Sequence, residues 1–215
     1  MSDAAGVVSV NVGRPTMVER GDGTESTAIW KAPVEGRVRA AGVNLEGDEQ
    51  ADRTVHGGPD MAVYSYALED YEWWSTELGR RLEPGTFGEN LTLRGVAVTG
   101  APIGERWRIG EALLEISQPR IPCWKLGVRM DDPRFVKRFA AAERPGAYLR
   151  ITEEGELGAG DAVAVEYRPA DGVTIADVNR IYLRDRASAA RLVDVPALSQ
   201  SWRDWARGEA ARLAG

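Results

Sequence analysis

The chain has one cysteine and one histidine in 215 residues. A single cysteine excludes an internal disulfide, so the fold does not depend on oxidation, which fits a cytoplasmic location. The same scarcity excludes multi-histidine zinc centres and cysteine-rich fingers, and leaves few metals that could be held unless a cofactor supplies further ligands. No apolar run approaches the ~20 residues that cross a bilayer, so no membrane partner is expected. The opening MSDAAGVVSV lacks the basic region, apolar core and cleavage site of a secretory leader. Positive charge is also short. A net charge of −6 argues against a general nucleic-acid or membrane-surface binder.

What is present is the composition of a soluble globular protein, 43% hydrophobic and 28% charged. A chain of this length buries roughly 70–75% of its unfolded surface, enough for one substantial core and a small second module. The charge is uneven, because residues 118–150 carry eight Lys/Arg against three Asp/Glu. A solvated face explains that excess as simply as a site for a small anionic ligand.

Residues 1–170 read mainly as β. VVSVNV, EGRVRAAGV, MAVYSY, ENLTLRGV, ERWRIG, ALLEIS, GAYLRI and DAVAVEY are short runs rich in β-branched and aromatic residues, separated by Gly, Pro and Asp/Asn. Glycine-bearing turns predict hairpins at RIGEALLEIS and ITEEGELGAGDAVAV. Many short strands suggest a barrel or sandwich. Two helices interrupt them. ALEDYEWWSTELG puts Leu68, Tyr71, Trp74 and Leu78 on one face, with Gly79 as the stop. DDPRFVKRFAAA has Asp132 as N-cap, Pro133 at the first helical position and an apolar stripe from Phe135 to Ala140.

The pattern changes after the Pro/Gly linker YRPADG. Residues 171–215 read as three short helices, the first opened by a Thr174–Asp177 cap. Residues 172–215 carry seven Arg against five Asp/Glu, without a basic recognition helix, so a packing or partner-docking bundle is expected rather than a DNA reader. The linker predicts that residues 172–215 can be removed to leave a folded domain.

Four stretches carry polar residues out of the strand pattern: TAIWK (27–31), the run 43–66 containing HGGPD, FGENLT (87–92) and QPRIPCWK (118–125). In HGG, Gly57 and Gly58 let the backbone approach a ligand and offer unblocked N–H groups beside His56. His56 could equally be a structural hydrogen-bonder, and Asn90 a turn residue. Cys123 reads two ways. It is either a buried small hydrophobe, or a thiolate stabilised by Arg120 and Lys125 on a turn stiffened by Pro119 and Pro122.

These stretches, in this order, resemble the MOSC domain family, and within it the YiiM-like subfamily with a three-helix C-terminal domain. TAIWKAPVEGRV, LEGDEQADRTVHGGPDMAVYSY, FGENLTLRGV, IGERWRIG and SQPRIPCWKL carry the resemblance, which spans nearly the whole chain. It implies a mainly β fold, a MOSC-type β-barrel with peripheral helices over residues 1–170 plus a three-helix domain over 171–215. It implies binding of the molybdenum cofactor, a phosphate-bearing pterin dithiolene, with Cys123 as the protein ligand to the metal. By the same match Lys31, His56, Gly57, Gly58, Asn90 and Arg120 line the cofactor pocket, and His56 and Cys123 serve catalysis. An association with pyridoxal phosphate is a weaker implication.

The implied activity is reduction of N-hydroxylated compounds such as hydroxylaminopurines to amines. Reduced molybdenum would take the hydroxyl oxygen, and a flavin reductase partner would return two electrons. The rival readings are a carrier of the cofactor or of sulfur, and a metal-free Cys–His hydrolase or transferase. A homodimer is left open. Two positions depart from the family pattern: Met61 stands where Lys is frequent after HGGPD, and Glu105 replaces Asp, which reads as a conservative turn change.

Overall fold

The computed structural model describes residues 4–51, 57–170 and 172–214. Strands β1 (Gly6–Val12), β2 (Thr16–Arg20), β3 (Gly23–Thr27), β4 (Ala32–Pro33), β5 (Arg37–Ala41), β6 (Asn44–Leu45) and β7 (Val63–Ala67) lead into helix α1 (Leu68–Leu78). Strands β8 (Leu91–Arg94), β9 (Arg106–Ile109) and β10 (Ala112–Pro119) follow, then helices α2 (Trp124–Arg129) and α3 (Phe135–Ala142). Strands β11 (Ala147–Glu153), β12 (Gly155–Gly158) and β13 (Val163–Tyr167) precede helices α4 (Ile175–Leu183) and α5 (Gln200–Ala214). Among the described residues no helix is long and apolar enough to cross a membrane.

The fold is mainly β, as expected. Eight strands form one sheet in the order β13-β9-β10-β11-β7-β8-β1-β4. Neighbours are antiparallel except β7 and β8, which run parallel. The sheet curls, because Gly6 of β1 bridges Ala162 just before β13. Val7 N–H also donates to Asp161 (2.9 Å), and Gly160 N–H to Val7 (2.9 Å). The expected barrel is therefore a curled sheet drawn together by a single bridge, without a continuous closing ladder.

One hairpin is where the sequence put it. Ile109 faces Ala112 across a two-residue turn with Gly110 at φ 57°. The second is not a hairpin: β12 pairs with β5, and β13 pairs with β9. The glycine turn between them is present, with Gly160 at φ 91° and Asp161 N–H on the Gly158 carbonyl (3.2 Å), but the two strands it joins pair elsewhere. At the start of β12 a Cβ on Gly155 would lie 2.6 Å from Glu111, so this glycine permits a close strand crossing. The β2–β3 hairpin has no counterpart in the sequence reading. Among the described residues it pairs with no other strand, and it stays mostly exposed, so it lacks the apolar alternation that marks a strand.

Two apolar clusters form. The larger fills the curl of the sheet and includes Val10, Leu91, Trp107, Leu114, Ile116 and Leu149. The second is aromatic, with Tyr64, Tyr66, Tyr71, Trp74, Phe87, Phe135 and Phe139 under α1 and α3. Gly79 ends α1 in the left-handed region at φ 63°, as its position predicts. Helix α3 starts later than expected. The Asp132 carboxylate accepts the N–H of Arg134 (2.9 Å) and its carbonyl that of Phe135 (2.9 Å). Asp132 thus caps a turn that feeds the helix.

The strand pattern ends at Tyr167 and helices begin at Ile175. Thr174 and Asp177 form a reciprocal capping box at the start of α4. The second tail segment is a 3-10 helix, Arg186–Leu192. Ile175, Val178, Ile181, Leu192, Leu198, Trp202 and Ala206 join the same apolar cluster as the sheet.

Candidate cofactor site

Strand β10 is buried along almost its whole length and delivers the cysteine stretch to the surface of the core. Pro119, opposite Ala147, is its last paired residue. Lacking an N–H, proline is suited to end a ladder. Residues 120–123 then leave the sheet, and Cys123 becomes the extended N-cap residue of α2. Cys123 is half-buried. It opens onto a cleft that is also lined by Lys31, Asp48, Tyr64, Asn90, Arg120 and Tyr148. The thiol is therefore part of a concave, mixed polar and aromatic wall, not the centre of an apolar core.

Arg120 is 6% exposed and reaches back into the aromatic cluster. Its Nη1 donates to the Phe87 carbonyl, and its guanidinium lies 5.1 Å from the Tyr64 ring centre and 5.5 Å from that of Phe139. Among the described residues no carboxylate forms an ion pair with it. Burial works against its charge, but Tyr64, Tyr148 and the nearby Cys123 outweigh that and raise its pKa. The site thus holds a permanent cation within electrostatic reach of the thiol.

Lys31 is half-buried, with its side chain 9% exposed, and has a partner. Its Nζ is paired with Asp48. Burial pushes the Lys31 pKa down, opposed by Asp48 and more weakly by Glu89. Asp48 is a hub, since Oδ1 also accepts Gly13 N–H (2.8 Å) and Oδ2 accepts Asn90 Nδ2 (2.9 Å). Asn90 spends the rest of its amide on backbone: Oδ1 accepts Tyr64 N–H (3.0 Å) and Nδ2 donates to Asn11 (3.2 Å). It staples β1 and β7 together at the cleft wall. The sequence singled out Lys31 and Asn90 but gave Asp48 no role.

The glycine pair divides. Gly58 sits at φ 93°, which requires glycine, yet its N–H is taken by Gln50 Oε1 (2.9 Å) and so is not offered to a ligand. Gly57 is half-buried. His56 lies outside the described residues. Met61 lines the cleft, so the usual cation after HGGPD is replaced there by a thioether. Lys125 faces the cleft and donates to the Ser26 carbonyl (3.0 Å). Of the cationic run 118–150, only Arg120 and Lys125 line the cleft, while Arg144 pairs with Asp70 and Arg150 with Asp60 and Glu115.

Two further acids are buried. Glu105 closes the turn at 102–105, its N–H donating to Pro102 (3.0 Å), and its carboxylate also anchors the sheet: the residue is 1% exposed, accepts Trp107 Nε1 (2.6 Å) and pairs with Arg168. Glu89, in FGENLT, is fully buried. Its Oε1 accepts from Tyr71 (2.6 Å), Gly85 N–H (2.7 Å) and Thr92 (2.7 Å), while Oε2 is buried without a hydrogen-bond partner among the described residues. Burial pushes its carboxyl above the usual range, and those donors only partly offset this.

The donors decide whether a molybdenum pterin fits. Among the described residues no three His, Cys, Asp or Glu side chains converge to hold a bare metal ion. A soft thiol at the rim suits a metal whose other ligands arrive with a cofactor. A buried guanidinium without a carboxylate suits an anion, because buried charges are otherwise paired. The cleft fits the group.

Residues 52–164 match the MOSC domain, and residues 173–207 match the YiiM-like, 3-alpha helix domain. Uncharacterized protein YflK of Bacillus subtilis (strain 168) is 36% identical over 200 residues, covering 92% of this chain and 90% of that protein. A protein named Reductase from Gibberella moniliformis (strain M3125 / FGSC 7600) is 33% identical over 165 residues, 74% of this chain but 29% of that protein. The crystal structure of YiiM from Geobacillus stearothermophilus has a TM-score of 0.80 at 30% identity, over 96% of this chain and 99% of that one.

Proposed function

The chain belongs to the MOSC domain family, and on that premise we propose that it is a molybdenum-cofactor-dependent reductase of N-hydroxylated compounds. The observation that carries this reading is the placement of Cys123 in one cleft with a buried cation, Arg120, that has no carboxylate partner among the described residues. The fungal relative named Reductase supports reductive chemistry. The N-hydroxylated substrate and a flavin reductase as electron donor rest on the sequence resemblance.

The cofactor, when bound, supplies the two-electron chemistry. The chain's own residues hold and orient. Cys123 offers the soft anionic donor. Arg120 offers a fixed, planar set of donors to an anionic group, and its charge favours the thiolate form next to it. Lys31, tied to Asp48, keeps a second cation on the same wall without leaving it uncompensated. The aromatic wall of Tyr64 and Tyr148 excludes water and offers flat faces to a planar ring system. His56, immediately before Gly57, is assigned the proton delivered to the leaving oxygen.

The test is the molybdenum and pterin content of protein made in a host that synthesises the cofactor. Wild type should carry stoichiometric molybdenum and pterin, Arg120→Ala should lose occupancy of both, and Cys123→Ser should lose metal or turnover with unchanged melting of the cofactor-free protein. A soft-to-hard swap removes the metal's protein anchor, whereas a core cysteine so changed costs roughly 1–3 kcal/mol of stability and leaves chemistry intact. Full activity of molybdenum-loaded Cys123→Ser would overturn the ligand assignment. Stoichiometric cofactor without turnover under any reductant would leave the carrier reading instead.

A further inference from the structure

Among the described residues the β2–β3 hairpin has no partner strand, yet it is fastened to the cysteine turn. The Arg20 guanidinium lies 4.6 Å from the Trp124 ring centre, and the Ser26 carbonyl accepts Lys125 Nζ at 3.0 Å. The two residues that follow Cys123 are thus each gripped by the hairpin. Glu25 pairs with Arg20 across the strands and aims the guanidinium at the indole. At its inner end the hairpin runs into Thr27, Ala28 and Ile29, which line the same cleft as Cys123. Thr27 is buried there, whereas most of the hairpin is exposed.

From this geometry we infer that the β2–β3 hairpin is a strap across the outer wall of the cleft, that Arg20 on Trp124 is its clasp, and that it sets the largest compound able to reach Cys123. The strap is anchored firmly at one end, by buried Thr27, and weakly at the other, by an exposed cation–π contact. Such an element lifts from its outer end. Small compounds pass with the clasp closed, and bulky ones need it open. Arg20 and Trp124 are then specificity-determining residues. The inference depends on the proposed function only for naming Cys123 as the reactive end of the cleft.

Cys123 is the sole thiol, so alkylation of full-length, cofactor-free protein reads access directly. Rates with iodoacetamide and with a bulky dye–maleimide are followed by intact mass. Their ratio cancels any change in thiolate fraction, which affects both reagents alike. Arg20→Ala should raise the bulky-reagent rate about two- to five-fold, the change expected for losing an exposed cation–π contact, and leave the iodoacetamide rate near wild type. Arg20→Lys should restore most of the discrimination. Replacing residues 17–26 by a short glycine turn should abolish it. If Arg20→Ala and the shortened hairpin both keep the wild-type ratio, or if Cys123 is labelled in none of the variants, the strap is overturned. None of these readouts requires molybdenum. A protein with no cofactor but an Arg20-dependent ratio would lose the reductase reading and keep the strap.

Discussion

Arg120 and Lys31 place cations in the same cleft by different means, and the difference decides which of them a ligand can use. Lys31 is already neutralised by Asp48, while Arg120 has aromatic faces and one carbonyl. Glu89 is a third buried charge-bearing group, and its pH dependence can be worked out. Its folded pKa lies above the ordinary value because burial disfavours the carboxylate. The folded state therefore binds more protons than the unfolded chain between the two pKa values. The group's contribution to stability is largest below the unfolded value and is lost as pH rises through the folded one, at about 1.4 kcal/mol for each unit of separation. Glu89→Gln keeps the amide isostere of the protonated acid and removes that slope. Melting temperatures from pH 4 to pH 8 should show the variant gaining on wild type as pH rises. Parallel profiles would mean that the three donors on Oε1 hold the carboxylate charged.

The loop between α1 and β8 shows how an element shapes the cleft from behind. A Cβ on Gly85, at φ 84°, would lie 2.5 Å from the Lys31 carbonyl, and one on Gly88, at φ 75°, would lie 2.8 Å from Ile29. These glycines let the FGENLT loop press the TAIWK segment into place. Gly85→Ala should cost about 1–3 kcal/mol in denaturant unfolding and shift Lys31 away from Asp48, because the strained φ and the backbone clash act together. Gly21→Ala, also at positive φ but with nothing within 4 Å, should cost less and leave the cleft unchanged. Equal costs would show that the Gly85 contact relaxes freely. The same contrast explains what the sequence made legible. Cys123, Arg120, Lys31 and Asn90 stand in stretches punctuated by Gly and Pro, and the structure brings all four to one cleft. Asp48 and Tyr148 could not be read as site residues. Asp48 meets Asn90 across 42 positions, and Tyr148 looks like any strand aromatic until β11 is laid beside β7. Local patterns name turns and faces, but pairings between distant strands are set by the whole fold. The misread β12–β13 hairpin fails for that reason.

At the scale of the whole molecule, the Pro/Gly linker and the core point to different outcomes for the C-terminal helices. The linker suggests a separable module. Ile175, Val178, Ile181 and Trp202, however, belong to the same apolar cluster as Trp107 and Leu114 of the sheet. The start of the tail is also hydrogen-bonded into the preceding loop, with Ile103 N–H to Val173 (2.8 Å), Ile175 N–H to Ala101 (3.0 Å) and Ala176 N–H to Thr99 (2.9 Å). Arg150 ties the sheet, the turn carrying Asp60 and the tail carbonyl of Ala197 (2.7 Å) to one guanidinium. Elements that share a core unfold together, because exposing one face exposes the other. We therefore propose that residues 171–215 form a distinct segment in pattern but one cooperative unit with residues 1–170. Trp202 is the sharpest probe, 9% exposed with Tyr182 5.0 Å and Trp205 5.8 Å from it, ring centre to ring centre. Trp202→Ala should cost about 3–5 kcal/mol and lower a single calorimetric transition, with the Cys123 end of the molecule melting in step. Removal of residues 172–215 should leave a chain that binds a hydrophobic dye and melts without a sharp transition. If the full chain instead shows two transitions, with Trp202→Ala moving only one, or if the truncated chain melts sharply and still takes up cofactor, the helices are an independent module.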